Sequence, residues 1–333
     1  MADKLRMALV GAGMIVREAH IKSLKRLSDR VEVVAVYSRR LEVAKNFAKE
    51  HGIPLYTDNW REVIGRSDVD AVLIATPNYT HKPIAVEAAK SGKHIFLEKP
   101  IALSVEDGEA IVKEAESHGV KLLVGHCLRF WPEYVRIKKA VENGVIGEPR
   151  VARAYRLSSF PRWSQWHRYK EFSGGVVIDL GIHDLDYLRW VLGEPVEVYA
   201  VGGIRTRYSV DAIDYAMAII KFRDGAIAYV ESSWAMPENF RFYTYLEIAG
   251  TKGLLTVDNN TTATVTTYID DSFWSFAPVD DNAYYLEMKA FLDWVQHDVK
   301  PPLEPRDAVE SLRLALAIVK SIERGEVVKI AVG

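Results

Sequence analysis

Lys99 stands between Glu98 and Pro100, directly after the apolar run at residues 94–97. An amine at the end of a buried strand can give or take a proton, because desolvation disfavours its charged form. The same placement also suits a lysine that snorkels from a strand end to the surface. Asp179 and His183 form a second candidate group. They lie four residues apart in an otherwise apolar helical stretch, so their side chains share one helix face. Polar groups on such a helix need partners or a wet cleft. The pair could position a substrate hydroxyl and take its proton, stand as a satisfied structural pair, or form half of a metal site. A metal would need a third ligand. No further cluster of His, Cys or carboxylates accompanies the pair, so no metal is expected.

The elements that must position these residues read as two domains, 1–126 and 127–333. In the first, strand-like runs at 5–10, 31–37, 71–75, 94–97 and 121–124 alternate with helical stretches at 14–27, 41–51, 82–91 and 105–118. A weaker strand falls near Leu55-Tyr56. This rhythm predicts an α/β fold with a parallel sheet and helices on both faces. Leu9-Val10-Gly11-Ala12-Gly13-Met14-Ile15-Val16 joins the first strand to the first helix. Gly11 permits a tight turn. Gly13 lets a pyrophosphate approach the backbone beside the helix N-terminus, at Met14 and Ile15. Val16 takes the place of the fingerprint's third glycine, which governs helix packing.

The second strand ends in Tyr37-Ser38-Arg39-Arg40, with no carboxylate to take the ribose 2′-hydroxyl of NAD. Ser38 and Arg39 suit a 2′-phosphate instead, which favours NADP over NAD; the alternative is a solvated basic turn capping the next helix. Strand ends line the ligand crevice of such a sheet. Thr76, Pro77, Asn78 and His81 after one strand, and Glu98 and Lys99 after another, are therefore expected at the nicotinamide end.

From residue 151 the chain turns β-rich, with runs at 151–158, 196–207, 215–222, 226–234, 243–249, 253–257 and 262–268. Residues 221–225 read as a hairpin turn. Helices are expected at 133–143, 176–192, 282–297 and 306–324, the last able to pack back on the first domain. This makes an α+β domain with a large, mainly antiparallel open sheet. The chain's 333 residues, net charge of −2 and single cysteine exclude a disulfide framework and give no long-range attraction to nucleic acid or an anionic membrane. No apolar run reaches the roughly 18 residues of a membrane span. No signal-peptide pattern opens the sequence, so a cytoplasmic location is the expectation.

Taken in order, Gly11 and Gly13, Thr76-Pro77-Asn78 with His81, Glu98-Lys99-Pro100, and Gly174-Gly175 with Asp179-x-x-x-His183 resemble the Gfo/Idh/MocA oxidoreductases over essentially the whole chain. This is the family of glucose–fructose oxidoreductase and inositol dehydrogenase. The resemblance implies a Rossmann domain followed by an α/β domain whose open sheet forms a homo-oligomer interface, as dimer or tetramer. It implies hydride transfer between NAD(P) and a hydroxyl-bearing carbon of a sugar, cyclitol or related polyol. By carry-over, Lys99 and His183 share proton handling. Asp179 orients His183 or holds a neighbouring hydroxyl. Thr76, Asn78, His81 and Glu98 contact ribose and nicotinamide, and the bond before Pro100 is cis. Arg129 occupies a position that faces the active site or forms a salt bridge. In the loop Arg162–Lys170, Trp163, Trp166 and His167 are candidates to bind substrate, with packing as the alternative. The loop's cations would also suit an acidic substrate. Two other functions compete: a glycosidase that uses the dinucleotide transiently, with no net redox, and a non-catalytic dinucleotide sensor. The intact Lys99, Asp179 and His183 set argues against the sensor.

Overall fold

The structure, a computed structural model, describes residues 4–206, 208–269 and 272–330. It divides into two units, Met1–Cys127 with Asp281–Val309, and Leu128–Asp280 with Glu310–Gly333.

Strands without polar alternation need cover on both faces, and the first unit supplies it. Its strands are β1 (Leu5–Val10), β2 (Val31–Tyr37), β3 (Leu55–Thr57), β4 (Ala71–Ile74), β5 (His94–Glu98) and β6 (Leu122–Gly125). All pair in parallel, in the order β3-β2-β1-β4-β5-β6. The order reverses between β1 and β4, the switch point at which such sheets take a ligand. Val72, Leu73, Ile74, Ile95, Phe96 and Leu97 are fully buried there. The helices are α1 (Ile21–Arg26), α2 (Leu41–His51), α3 (Trp60–Ile64), α4 (His81–Lys90) and α5 (Val105–Ser117). The sequence reading lacks α3, whose five residues are too few for a periodic signal; its start is marked by Asn59, whose side chain accepts the Arg61 N–H.

The second unit contains α6 (Pro132–Glu142), β7 (Pro149–Ser159), α7 (Lys170–Ser173), α8 (Ile182–Leu192), β8 (Pro195–Gly203), β9 (Tyr215–Phe222), β10 (Ile227–Met236), β11 (Tyr243–Gly250), β12 (Gly253–Asp258), β13 (Val265–Ile269), β14 (Ser272–Phe276) and β15 (Val328–Lys329). Its strands form one sheet, β14-β13-β12-β11-β7-β10-β9-β8-β15, antiparallel except where β10 runs parallel to β7. The hairpin at 221–225 joins β9 to β10 through Gly225 at φ +87°. Burial alternates strictly along β9, so one sheet face is covered and the other open. In the remaining sequence, α9 (Ala283–His297) belongs to the first unit, and α10 (Pro305–Arg324) has residues in both.

Two strand boundaries differ from expectation by three residues or more. β8 ends at Gly203, because the buried Asp214 carboxylate takes the N–H groups of Arg205 (2.8 Å) and Thr206 (2.5 Å) and turns the chain off the sheet. Arg207, also expected in that strand, lies outside the described residues. β13 begins at Val265 because Thr261 Oγ1 holds a turn on the carbonyls of Asp258 and Ala263. No helix among the described residues is long and apolar enough to cross a membrane.

Candidate active site

At the end of β1, Gly11 adopts φ +130°, and an added Cβ would stand 2.3 Å from the Ala75 carbonyl oxygen. Only glycine lets the strand end pass that close to the end of β4. Two residues on, the surroundings invert: an added Cβ on Gly13 would meet nothing within 4 Å, and Gly13 and Met14 are exposed. The helix starts here, with Arg17 N–H on the Gly13 carbonyl (3.1 Å). The N–H groups of its first turn have no acceptor within the helix. Open space in front of a helix N-terminus fits the pyrophosphate of a dinucleotide. Val16, in place of the third glycine, is fully buried in a π-helical turn, Val16–His20, which leads into α1.

At the end of β2, Ser38 is half-buried and Arg39 exposed. Helix α2 has no side-chain cap, so capping does not occupy either residue. Neither the Ser38 hydroxyl nor the Arg39 guanidinium has a hydrogen-bond partner among the described residues.

After β4, Thr80 Oγ1 lies 2.7 Å from both Thr76 Oγ1 and the Pro77 carbonyl, which closes the turn holding Pro77 and the buried Asn78. His81 is fully buried, with Nδ1 2.8 Å from the Pro100 carbonyl and Nε2 3.0 Å from that of Thr76. Burial pushes its pKa down against the two carbonyls, and a neutral ring can donate to only one of them. His81 thus ties the Thr76 turn to Pro100 from behind. The expectation that its ring touches the dinucleotide is set aside, since both nitrogens face backbone.

Glu98 is also turned inward. Its Oε1 lies 2.5 Å from His20 Nε2, and its Oε2 accepts the Lys99 backbone N–H at 3.2 Å. Burial alone would raise this carboxyl. The hydrogen bond and charge of His20, with Lys99 and His81 further out, outweigh it and hold the group below the usual range. Glu98 was expected to contact the cofactor; the structure commits both of its oxygens within the protein. Lys99 is half-buried at the end of β5, and the Lys99–Pro100 bond is cis.

In the second unit, Gly174 (φ +76°) and Gly175 (φ +80°) precede a π-helical turn, Val177–Gly181, that runs into α8. Asp179 and His183 are half-exposed, whereas Ile178, Gly181, Ile182, Asp184 and Leu185 around them are buried. His167 Nε2 stands 3.6 Å from Asp179 Oδ2. The His167 ring stacks on Trp166 (3.8 Å between centroids) and meets Trp163 and Trp234 edge-on at 6.1 and 5.6 Å. The three loop residues singled out from sequence therefore gather beside Asp179, with Trp163 62% exposed. The loop's cations are engaged elsewhere. Arg162 pairs with Glu238 at 3.0 Å, Lys170 pairs with Glu323, and Arg168 lies over the Tyr208 ring.

Arg129 does not present itself to a substrate. It is 3% exposed and makes a bidentate pair with Asp186 (2.9 and 2.8 Å), which also accepts Ser311 Oγ at 3.0 Å. A matching pair, Arg156 with Asp184 (2.7 and 2.8 Å), went unrecognised in the sequence. Both carboxylates lie on the helix of His183, so two buried arginines fix its seating.

Two family models match this chain: the oxidoreductase family with an NAD-binding Rossmann fold over residues 5–126, and the GFO/IDH/MocA C-terminal domain over residues 134–256. The chain belongs to the GFO/IDH/MocA oxidoreductase family. Among its relatives, a 1,5-anhydro-D-fructose reductase of Ensifer adhaerens is 32% identical, over 98% of this chain and 99% of the relative. A scyllo-inositol 2-dehydrogenase (NAD(+)) of Bacillus subtilis is 30% identical, over 100% and 98%. The structure of GenD2 from gentamicin A biosynthesis, in complex with NAD, superposes with a TM-score of 0.89 at 28% identity, over 100% of this chain and 98% of that one. A member of this family is an oxidoreductase that works with a nicotinamide dinucleotide.

Proposed function

We propose that this GFO/IDH/MocA oxidoreductase is a dehydrogenase or reductase of uncharged sugars, cyclitols or related polyols. The observation that carries this reading is the pairing of His167 with Asp179 beneath Trp163, on the helix of His183. Exposed indole suits the apolar face of a sugar ring, and an Asp–His set suits its hydroxyls. The engagement of Arg162 and Lys170 by Glu238 and Glu323 leaves little charge to attract an acidic substrate. The relatives named above are likewise named for polyhydroxylated compounds.

In this proposal Gly13 and the N–H groups of Met14 and Ile15 hold the pyrophosphate. Ser38 and Arg39 hold a 2′-phosphate, so NADP is accepted at least as well as NAD. Thr76, Pro77 and Asn78 shape the nicotinamide end, supported by His81 and Glu98. The nicotinamide, when bound, supplies or takes up the hydride. Lys99 and His183 hold and move the proton at the reacting hydroxyl, and Asp179 orients His183 or a neighbouring hydroxyl. Residues 1–126 serve the dinucleotide and the remainder serves substrate and assembly. The open face of the second sheet exposes Tyr199 and Val201 in register with Ile219 and Met217 on the neighbouring strand, a patch suited to a dimer or tetramer.

A panel of neutral sugars, cyclitols and sugar acids, run with NAD and NADP and followed by reduced-nicotinamide absorbance, tests the assignment. Net turnover is expected with a neutral polyol, falling about 10²- to 10⁴-fold in Lys99→Ala and His183→Ala. Turnover confined to acidic substrates refutes it. Glycoside cleavage without net reduced dinucleotide would establish the transient-redox glycosidase instead.

A further inference from the structure

His20 plays no part in the mechanism above, yet it is the fully buried partner of the residue that precedes Lys99. It lies in the π-helical turn that opens the first helix, seven residues beyond Gly13. Phe96 and Tyr284 hold its ring edge-on at 5.3 and 5.9 Å. Nε2 stands 2.5 Å from Glu98 Oε1, while Nδ1 has no hydrogen-bond partner among the described residues. Glu98 Oε2 takes the backbone N–H of Lys99. The carboxylate therefore bridges two things: the helix whose N-terminus meets the pyrophosphate, and the backbone of the proton-handling lysine. Gly125 on the neighbouring strand leaves room for it, since an added Cβ would stand 3.3 Å from Oε2.

We propose that His20 is a positioning residue for Lys99, acting through Glu98. A buried carboxylate paired with a histidine is a poor source of stability, because hydrophobic residues of like volume serve a core as well or better. What this pair does supply is a fixed acceptor for the Lys99 amide. Reactive groups tolerate little displacement: a shift of about 1 Å can lower a rate by about 10²-fold. The inference rests on the reading of Lys99 as the proton-handling group.

The test compares His20→Ala, His20→Gln, Gly125→Ala and Lys99→Ala with wild type. Amide exchange at Lys99 is followed by NMR in the dinucleotide-free protein. Binding is followed by NADH and NADPH fluorescence, and turnover with the best neutral polyol of the panel. In His20→Ala, Lys99 amide exchange accelerates about tenfold or more, as expected when a charge-assisted acceptor is released. Its kcat falls about 10- to 100-fold, the usual scale for a supporting residue, while dinucleotide Kd stays within about threefold. His20→Gln, whose amide can occupy the Nε2 position, recovers both readouts. Gly125→Ala, which crowds the carboxylate without touching His20, lowers kcat by less than His20→Ala does. Unchanged exchange and kcat in His20→Ala overturn the proposal. So does equal damage in His20→Ala and His20→Gln accompanied by weaker dinucleotide binding, the pattern of a purely structural residue. Full activity in Lys99→Ala removes the premise, and the inference with it. An inactive Lys99→Ala beside a fully active His20→Ala removes the inference alone.

Discussion

Gly11 and Gly13 lie two residues apart in one turn, and substituting each by alanine is expected to have opposite consequences. The Gly11 methyl would stand 2.3 Å from the Ala75 carbonyl oxygen, a backbone atom that cannot swing aside, in a φ of +130° that L residues rarely adopt. The conformational strain is about 1–3 kcal/mol, and forcing the two strand ends apart adds about 1–3 kcal/mol. For a unit of this size, each kcal/mol lowers Tm by roughly 2–4 °C. Gly11→Ala is therefore expected to melt between roughly 4 and 24 °C lower. The Gly13 methyl meets no protein atom within 4 Å, and Gly13 is not among the residues with positive φ. Gly13→Ala is expected to melt at or slightly above wild type, because alanine narrows the unfolded ensemble. Its methyl would occupy the space in which a phosphate must approach the helix N-terminus. Losing one charge-assisted hydrogen bond is worth about 1.5–3 kcal/mol, or about 10- to 150-fold in Kd. Thermal melts by circular dichroism and titrations of NADH and NADPH fluorescence read the two effects separately. Wild-type dinucleotide affinity in Gly13→Ala would refute the placement of the pyrophosphate. A wild-type melt for Gly11→Ala would refute the close approach of β1 to β4.

Three further outcomes are expected. Arg156→Met leaves the Asp184 charge buried without its partner and should cost about 3–5 kcal/mol in denaturant unfolding; adding Asp184→Leu should restore most of this, and a double variant no better than the single one would show that the pair does not act alone. Arg39→Ala should lower kcat/KM with NADP about tenfold, the loss of roughly one hydrogen bond to a charged group, and leave NAD within about twofold; equal effects on both dinucleotides would place the 2′-phosphate elsewhere. The hydrogen bonds from Arg6 hold the Asp70 carboxyl below its ordinary pKa, so the pair adds stability above the unfolded value, about pH 3.9, and loses it as pH falls further. The stability difference between wild type and Asp70→Asn, measured by denaturant melts, should therefore shrink below about pH 4.

The first unit was legible because its strands are buried on both faces and its helices, apart from α3, lie in stretches long enough to show a period. Gly11, Gly13, Lys99, Asp179 and His183 could be read from sequence because each stands at a fixed offset from such an element. What escaped were the partners. His20 and Glu98 are 78 residues apart, Arg129 and Asp186 are 57 apart, and Arg156 and Asp184 are 28 apart. No local pattern reports a contact of that kind. Glu98 is read as facing a ligand because it stands at a strand end, and Arg129 through the family resemblance, with a salt bridge as its alternative; a polar side chain can turn inward when a buried partner waits for it, and both do. Asp184 and Asp186 were visible beside His183, and their spacing on a buried helix was a signal that two cations had to be found elsewhere in the chain.

The helix that follows Gly13 and the helix of His183 begin alike. Each opens with a π-helical turn, Val16–His20 in one and Val177–Gly181 in the other; the first contains His20 and the second Asp179. A turn closed from residue i to i+5 holds one more residue than an α turn and offsets the helix beyond it from the chain before it. In the first helix the wider turn accommodates a buried Val16 where the fingerprint has glycine, and it places His20 against Glu98. In the second, Gly181 brings the backbone so near β10 that an added Cβ would stand 2.4 Å from Ser232 Oγ. That contact pins the helix midway between Asp179 and His183, while the arginines on Asp184 and Asp186 hold the next turn. Such turns recur at functional sites because a local irregularity can re-aim a side chain without moving the whole helix. In one helix the irregular turn holds His20 and in the other Asp179, while His183 stands in the first turn of the regular helix that follows.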